Sequence, residues 1–259
     1  MIVDTHAHFQ KTANMMNFDW DDASILRHMD AIGCDYMVQS LCRALEHVPD
    51  LEAHRTYAAD CKALYEKSNG RVLNYFLFDP RVAEIDLATI DAYHDDPAFR
   101  GIKIHPSDHS TWANDPLYKL VWERARDYGL VIMSHTWALT SNPKQKYSTP
   151  DQFVQNLEEF PDVNFIFGHS GGRVKGIQAA AEIGRTHKNA YFDMGGDVYN
   201  RHFVEYMVEH VGADHLLAAS DISWFDLSYQ IGMVLGANIS TEEKELILGN
   251  NAARLFHIA

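Results

Sequence analysis

Short apolar runs recur along the chain, each closed by a polar, Gly or Pro stop and followed by a longer stretch with helical spacing of its apolar positions. The first run begins almost at Met1 and ends in Asp4-Thr5-His6-Ala7-His8. Further strands are predicted over 36–39, 72–78, 101–105, 130–135, 163–167, 190–194 and 215–220. Helices are predicted over 22–32, 51–67, 83–94, 116–128, 150–160, 174–187 and 199–211, with a closing helix over 241–256. Gly33 and Gly129 read as C-caps, Pro116 and Pro150 as helix starts, and Thr241-Glu242-Glu243-Lys244 as a capped start. Strands alternating with helices imply right-handed βα units in a parallel sheet, and eight such units close a (β/α)8 TIM barrel. An open, doubly wound sheet is the structural rival.

Composition narrows this picture. The 259 residues suit one barrel domain over 1–259, with long irregular loops at 9–20 and 136–149 expected over its mouth. Lys and Arg number 22 against 36 Asp and Glu, a net charge of -14 that argues against general binding to nucleic acid or anionic membranes. An anionic small substrate would need a local exception to that field. Cys34, Cys42 and Cys61 are odd in number and form no CxxC pair, so neither a disulfide framework nor a zinc knuckle is suggested, and a reducing cytoplasm fits. Neither a signal peptide nor an apolar run approaching ~18 residues is expected.

The candidate chemistry lies at the strand ends. Asp4, His6 and His8 share one face of the first strand, so two imidazoles converge at its C-terminal end, where one metal ion could take both. Lys103 and His105 fall on one face of the fourth strand, His135 ends the fifth, His169 follows the sixth and Asp221 the eighth. Strand C-termini are where such barrels keep their active sites. Any one strand-end His taken alone is more often a hydrogen-bonded core residue than a ligand.

In order and spacing, Asp-Thr-His-Ala-His, Gly-Ile-Lys-Ile-His-Pro, Met-Ser-His, Phe-Gly-His-Ser-Gly-Gly, Ala-Ser-Asp and Leu-Gly-Asn-Asn-Ala-Ala-Arg-Leu-Phe resemble the amidohydrolase superfamily. The likeness covers nearly the whole chain and is greatest to the amidohydrolase-related branch typified by aminocarboxymuconate-semialdehyde decarboxylase. The resemblance implies one divalent metal, Zn²⁺ by its chemistry, held by His6, His8, His135 and Asp221. His169 then stands beside it as base or proton carrier, and Asp221 could also accept a proton from an attacking water. Asp4 lies deeper on its strand, as a floor residue supporting the ligands.

Lys103 has two readings. Binuclear relatives bridge two metals with a carboxylated lysine at this place, whereas in the mononuclear branch Lys103 or His105 would touch substrate or pack the barrel floor. Arg173, Trp137, Trp224 and Arg43 are candidates to hold an anionic or flat substrate, each with a plain surface role as its alternative. Gly168-His169-Ser170-Gly171-Gly172 also matches the G-x-S-x-G nucleophile elbow, with Asp221 and His257 following in Ser-Asp-His order. That reading makes Ser170 a nucleophile and leaves His6, His8 and His135 without work.

The leading expectation is a metal-dependent hydrolase of a small-molecule amide, ester or lactone. The alternative is a metal-dependent decarboxylase of an aromatic or unsaturated carboxylic acid, and a non-enzymatic metal-binding scaffold is the third. Aromatic residues in the mouth loops would suit a homodimer covering the site.

Overall fold

The computed structural model describes residues 1–9, 22–41 and 48–258. Eight parallel strands lie in sequence order: β1 (Val3–Phe9), β2 (Tyr36–Leu41), β3 (Val72–Leu77), β4 (Phe99–Ile104), β5 (Val131–His135), β6 (Phe165–Gly168), β7 (Ala190–Asp193) and β8 (Leu216–Leu217). Most strand positions are buried, as expected where helices cover the outside of a parallel sheet. The strands form a nearly closed (β/α)8 barrel, with an isolated parallel bridge from Ala7 to Ile222 joining its two edges.

Between the strands run α1 (Asp22–Ile32), α2 (Leu51–Lys67), α3 (Ala83–Tyr93), the short α4 (Pro106–His109), α5 (Pro116–Tyr128), α6 (Val154–Glu159), α7 (Val174–Thr186) and α8 (Phe203–Val211). After β8 come α9 (Leu227–Gly236), α10 (Thr241–Glu245) and α11 (Asn251–Phe256). Local chemistry sets their ends. Asp50 accepts the backbone N–H of Glu52 and Ala53 at the start of α2, and Asp115 with Pro116 opens α5, which Gly129 closes in the left-handed conformation.

Several expected boundaries move: the helix expected over 150–160 opens as a 3-10 turn at Pro150–Phe153 before α6, and the larger changes have a visible reason. Residues 218–222 bond to β1, with Thr5 N donating to Ala218 O and His8 N to Ile222 O, and keep one bond on the β7 side from Gly196 N to Ser220 O, so β8 proper is only two residues long. The helix expected from residue 199 starts at Phe203, because His202 is held at φ 60° and cannot be helical. No helix was anticipated over α9, although Asp226 caps it and its buried Leu227, Gln230 and Val234 have helical spacing. The closing helix is interrupted by a π turn at Leu246–Asn250, and its cap is Ser240, one residue earlier than expected, in a reciprocal capping box with Glu243.

Asp4 is the staple that draws β1 to the end of β8. Its carboxylate accepts Ser220 N at 2.9 Å and Ser220 Oγ at 2.5 Å, and it also takes the backbone N–H of His6 at 3.1 Å. The expected loop over 9–20 lies, apart from Phe9, outside the described residues, as does Arg43. No described helix is long and apolar enough to cross a membrane.

Candidate active site

The C-terminal ends of β1, β4, β5, β6, β7 and β8 bring their polar residues to one buried centre. His6 and His8 are nearly inaccessible, and His6 Nε2 and His8 Nε2 stand 3.6 Å and 3.2 Å from the same Asp221 Oδ1. For an ion with bonds of about 2.1 Å, tetrahedral donors sit about 3.4 Å apart, so this spacing suits three ligands of one metal. The group His6, His8 and Asp221 is accordingly one of two among the described residues that could hold an ion, and the second is His6, His169 and Asp193.

The imidazole tautomers point the same way. His6 Nδ1 donates to Asp193 Oδ2 at 3.0 Å, His8 Nδ1 to Ser40 O at 3.1 Å and His169 Nδ1 to Gly195 O at 3.0 Å. A carbonyl or carboxylate can only accept, so the Nε2 lone pairs of these three rings face the centre, where that of His6 meets Lys103 Nζ at 2.9 Å. His135 is held differently. Its Nε2 faces Gln145 Oε1 at 3.1 Å, an oxygen that also accepts from Ser107 Oγ, and its Nδ1 faces His169 Nε2 at 3.1 Å. Two imidazole nitrogens whose partners leave both as acceptors require a proton or a cation between them. The donor chemistry therefore fits a divalent metal.

Electrostatics keep these rings neutral and able to ligate. Burial is the largest cause pushing the pKa of His6, His8, His105 and His135 below the ordinary histidine value. Lys103 adds to it for all four. Its ammonium is buried 2.9 Å from His6 Nε2 and 2.9 Å from Met133 Sδ.

Backbone geometry is also special here. His169, Ser170 and Asp221 are non-glycine residues at φ 60°, 48° and 62°. Such positions cost on the order of 1–3 kcal/mol each and persist only where surrounding contacts enforce them. At His169 the enforcing contact is Asp193 Oδ1, which accepts the His169 N–H at 2.7 Å.

The other expected site residues are placed as follows. His105 stacks on His135 with ring centroids 4.2 Å apart, and Trp137 lies parallel to His135 at 5.8 Å. Trp224 sets its edge against His8 at 5.2 Å. Arg173 does not reach the histidine cluster in any contact; it pairs with Asp197 at 2.7 Å and lies over the Trp137 ring. Ser170 is no nucleophile in this arrangement, because it is fully buried and donates to Asp193 O at 2.6 Å.

Two contributors were missed from the sequence. Asp193 ends β7 as the other site residues end their strands, but the expected strand ran on to Met194 and hid its position. Gln145 sits in the loop expected at 136–149, and nothing in the sequence distinguishes it there.

An amidohydrolase family model matches residues 3–258. No curated protein matches the chain. Among solved structures, 5-carboxyvanillate decarboxylase from Sphingomonas paucimobilis superposes with a TM-score of 0.78 at 16% identity, covering 100% of this chain and 99% of that one. Dihydroxybenzoic acid decarboxylase from Polaromonas sp. JS666, with bound manganese and 2-nitroresorcinol, gives 0.73 at 15% identity over 99% and 97% of the two chains. 4-Oxalomesaconate hydratase from Rhodopseudomonas palustris gives 0.71 at 18% identity over 99% and 96%. At such identities the structural likeness establishes the fold.

Proposed function

The chain belongs to the amidohydrolase family, and from that premise we propose that it is a metal-dependent decarboxylase of an aromatic or unsaturated carboxylic acid. This reverses the order expected from the sequence, where hydrolysis came first. The observation that carries the reading is Lys103. In a chain of net charge -14 it puts a buried amine beside His6, at the ligand group, which as the ammonium supplies the local positive field a carboxylate substrate needs. The likeness to two aromatic-acid decarboxylases supports the same choice.

His6, His8, His135 and Asp221 would hold one divalent ion, manganese or zinc, which when bound polarises the substrate carboxylate and its neighbouring oxygen. The chain's own residues do the rest. His169, with Nδ1–H fixed on Gly195 O, directs Nε2 into the site, where it takes up a proton from solvent as the imidazolium and then gives that proton to the substrate carbon. The bond from ring carbon to carboxyl breaks, its electron pair stays on the carbon, the carbon takes the proton and CO2 leaves. Asp193 keeps both His6 and His169 in place during this exchange.

Hydrolysis of an amide, ester or lactone is the second reading, favoured by Asp221, whose carboxylate beside His6 and His8 could take a proton from an attacking water. The deciding experiment measures labelled CO2 from carboxyl-labelled hydroxybenzoates and unsaturated acids, using protein loaded with Mn²⁺ or Zn²⁺. Release that is lost on chelation and in His169→Ala supports decarboxylation. Silence across that panel with turnover of lactones or amides transfers the assignment to hydrolysis, and full activity without metal removes both.

A further inference from the structure

We propose that Trp137 is a positioning residue that fixes the ring plane of His135, and that the surface pair Arg173–Asp197 holds Trp137 in place. The proposal rests on the reading of His135 as a metal ligand.

His6, His8 and His169 each commit Nδ1–H to a backbone or carboxylate oxygen, which sets their orientation. Among the described residues no backbone or carboxylate oxygen takes a ring nitrogen of His135. Its ring nitrogens meet only side chains, Gln145 and His169. Contacts in the ring plane constrain rotation within that plane, whereas tilting out of it is resisted by groups stacked on the faces.

Those groups are present in series. His105 lies parallel to His135 within 9° at 4.2 Å, and Trp137 lies parallel to it within 6° at 5.8 Å. The Arg173 guanidinium stands 4.9 Å from the Trp137 centroid and is itself tied to Asp197 at 2.7 Å. The indole also presents itself edge-on to His169 at 5.2 Å. Trp137 is thus a wedge between the rim of the barrel and two histidines of the centre.

Gly172 makes room for the wedge. A Cβ there would come 2.5 Å from Trp137 Cδ2, and its φ of +79° also favours glycine. The final glycine of the G-x-S-x-G segment, which a nucleophile elbow would use for its turn, is therefore the one that seats an indole. A flat substrate stacking on Trp137 would compete with His135 and Arg173 for the ring, so a positioning role replaces the substrate contact expected from the sequence.

The test is calorimetric titration of Mn²⁺ and of Zn²⁺ into metal-stripped wild type, His6→Ala, Trp137→Phe, Trp137→Leu and Arg173→Ala. Trp137→Leu should weaken metal binding about 10-fold, the lower end of what supporting residues of metal ligands contribute, and Trp137→Phe should restore it to within about threefold. The visible ligand-field spectrum of bound Co²⁺, which reports the orientation of the ligating rings, should shift in Trp137→Leu and return in Trp137→Phe, which a merely structural role would not produce. Should Trp137→Leu fail to fold by circular dichroism, Arg173→Ala decides, with a measurable weakening expected. Unchanged affinity in the folded variants overturns the positioning role while His6→Ala still abolishes binding. A wild type with no saturable binding overturns instead the ligand assignment beneath it.

Discussion

The carboxylate of Asp193 accepts the Nδ1–H of His6 at 3.0 Å through Oδ2, while its Oδ1 takes the backbone N–H of His169 at 2.7 Å. One residue thereby fixes the tautomer of a candidate ligand and the strained backbone of the candidate proton carrier. In Asp193→Asn the amide presents N–H toward His6 Nδ1, which drives the ring proton to Nε2 and covers the lone pair aimed at the centre. Metal affinity is expected to fall about 10–100-fold with the fold intact. Calorimetry beside thermal melts checks this, and an unchanged affinity would mean that His6 does not ligate through Nε2.

Asp4 is expected to matter for stability more than for chemistry. Asp4→Ala leaves the buried Ser220 and His6 N–H groups without an acceptor, a loss of roughly 2–6 kcal/mol at about 1–3 kcal/mol per orphaned group. Burial raises the Asp4 carboxyl to about 7 from 3.8. The stability it contributes is therefore full below pH 3.8 and lost as pH rises through about 7. Urea unfolding of Asp4→Asn should show less loss between pH 6 and 8 than wild type; parallel curves would rule this out.

His109 carries the opposite sign. It is buried between Tyr118, whose hydroxyl meets Nδ1 at 2.7 Å, and Asp79, whose Oδ2 is 3.9 Å from Nε2, with Arg81, Asp108 and His54 nearby. Burial lowers it from 6.5 to about 4 despite the opposing pull of Asp79. Its contribution is complete above pH 6.5 and drains away as pH falls toward 4, by roughly 3 kcal/mol across the window at 1.36 kcal/mol per unit. His109→Gln should flatten the acid limb of the stability curve. An acid limb as steep as wild type would show that other histidines account for it.

Ser170→Ala separates the two chemistries written in one segment. The hydroxyl lost is a buried donor to Asp193 O, so the expected cost is about 1 kcal/mol of stability with turnover and metal content retained. Abolished turnover in a folded, metal-loaded variant would restore the nucleophile.

Removing the ion should act on fold and function together. Chelated protein is expected to lose turnover and to melt several degrees lower, because a ligand that binds only the native state stabilises it by mass action. A melting temperature indifferent to chelator and to added Mn²⁺ or Zn²⁺ would count against the ligand group.

The barrel was legible from periodicity because each βα unit is a local pattern: an apolar run, a polar stop, an amphipathic helix. That His6, His8, His135, His169 and Asp221 would lie near one another was legible because strand ends converge in this fold wherever they lie in the chain. What periodicity could not supply was long-range and non-periodic. Residues 218–222 join β1 through backbone bonds that no side-chain pattern encodes. Asp193 was hidden inside a strand expected to run to Met194, and only the meeting of β1, β6 and β7 placed it between His6 and His169. Trp137 and Arg173 read as candidates to hold substrate, and only packing turned them onto His135 and onto each other. The sequence determined which donors could meet at the mouth of a barrel. Tertiary structure decided how each is aimed, because aim depends on hydrogen-bond and stacking partners that come from other strands.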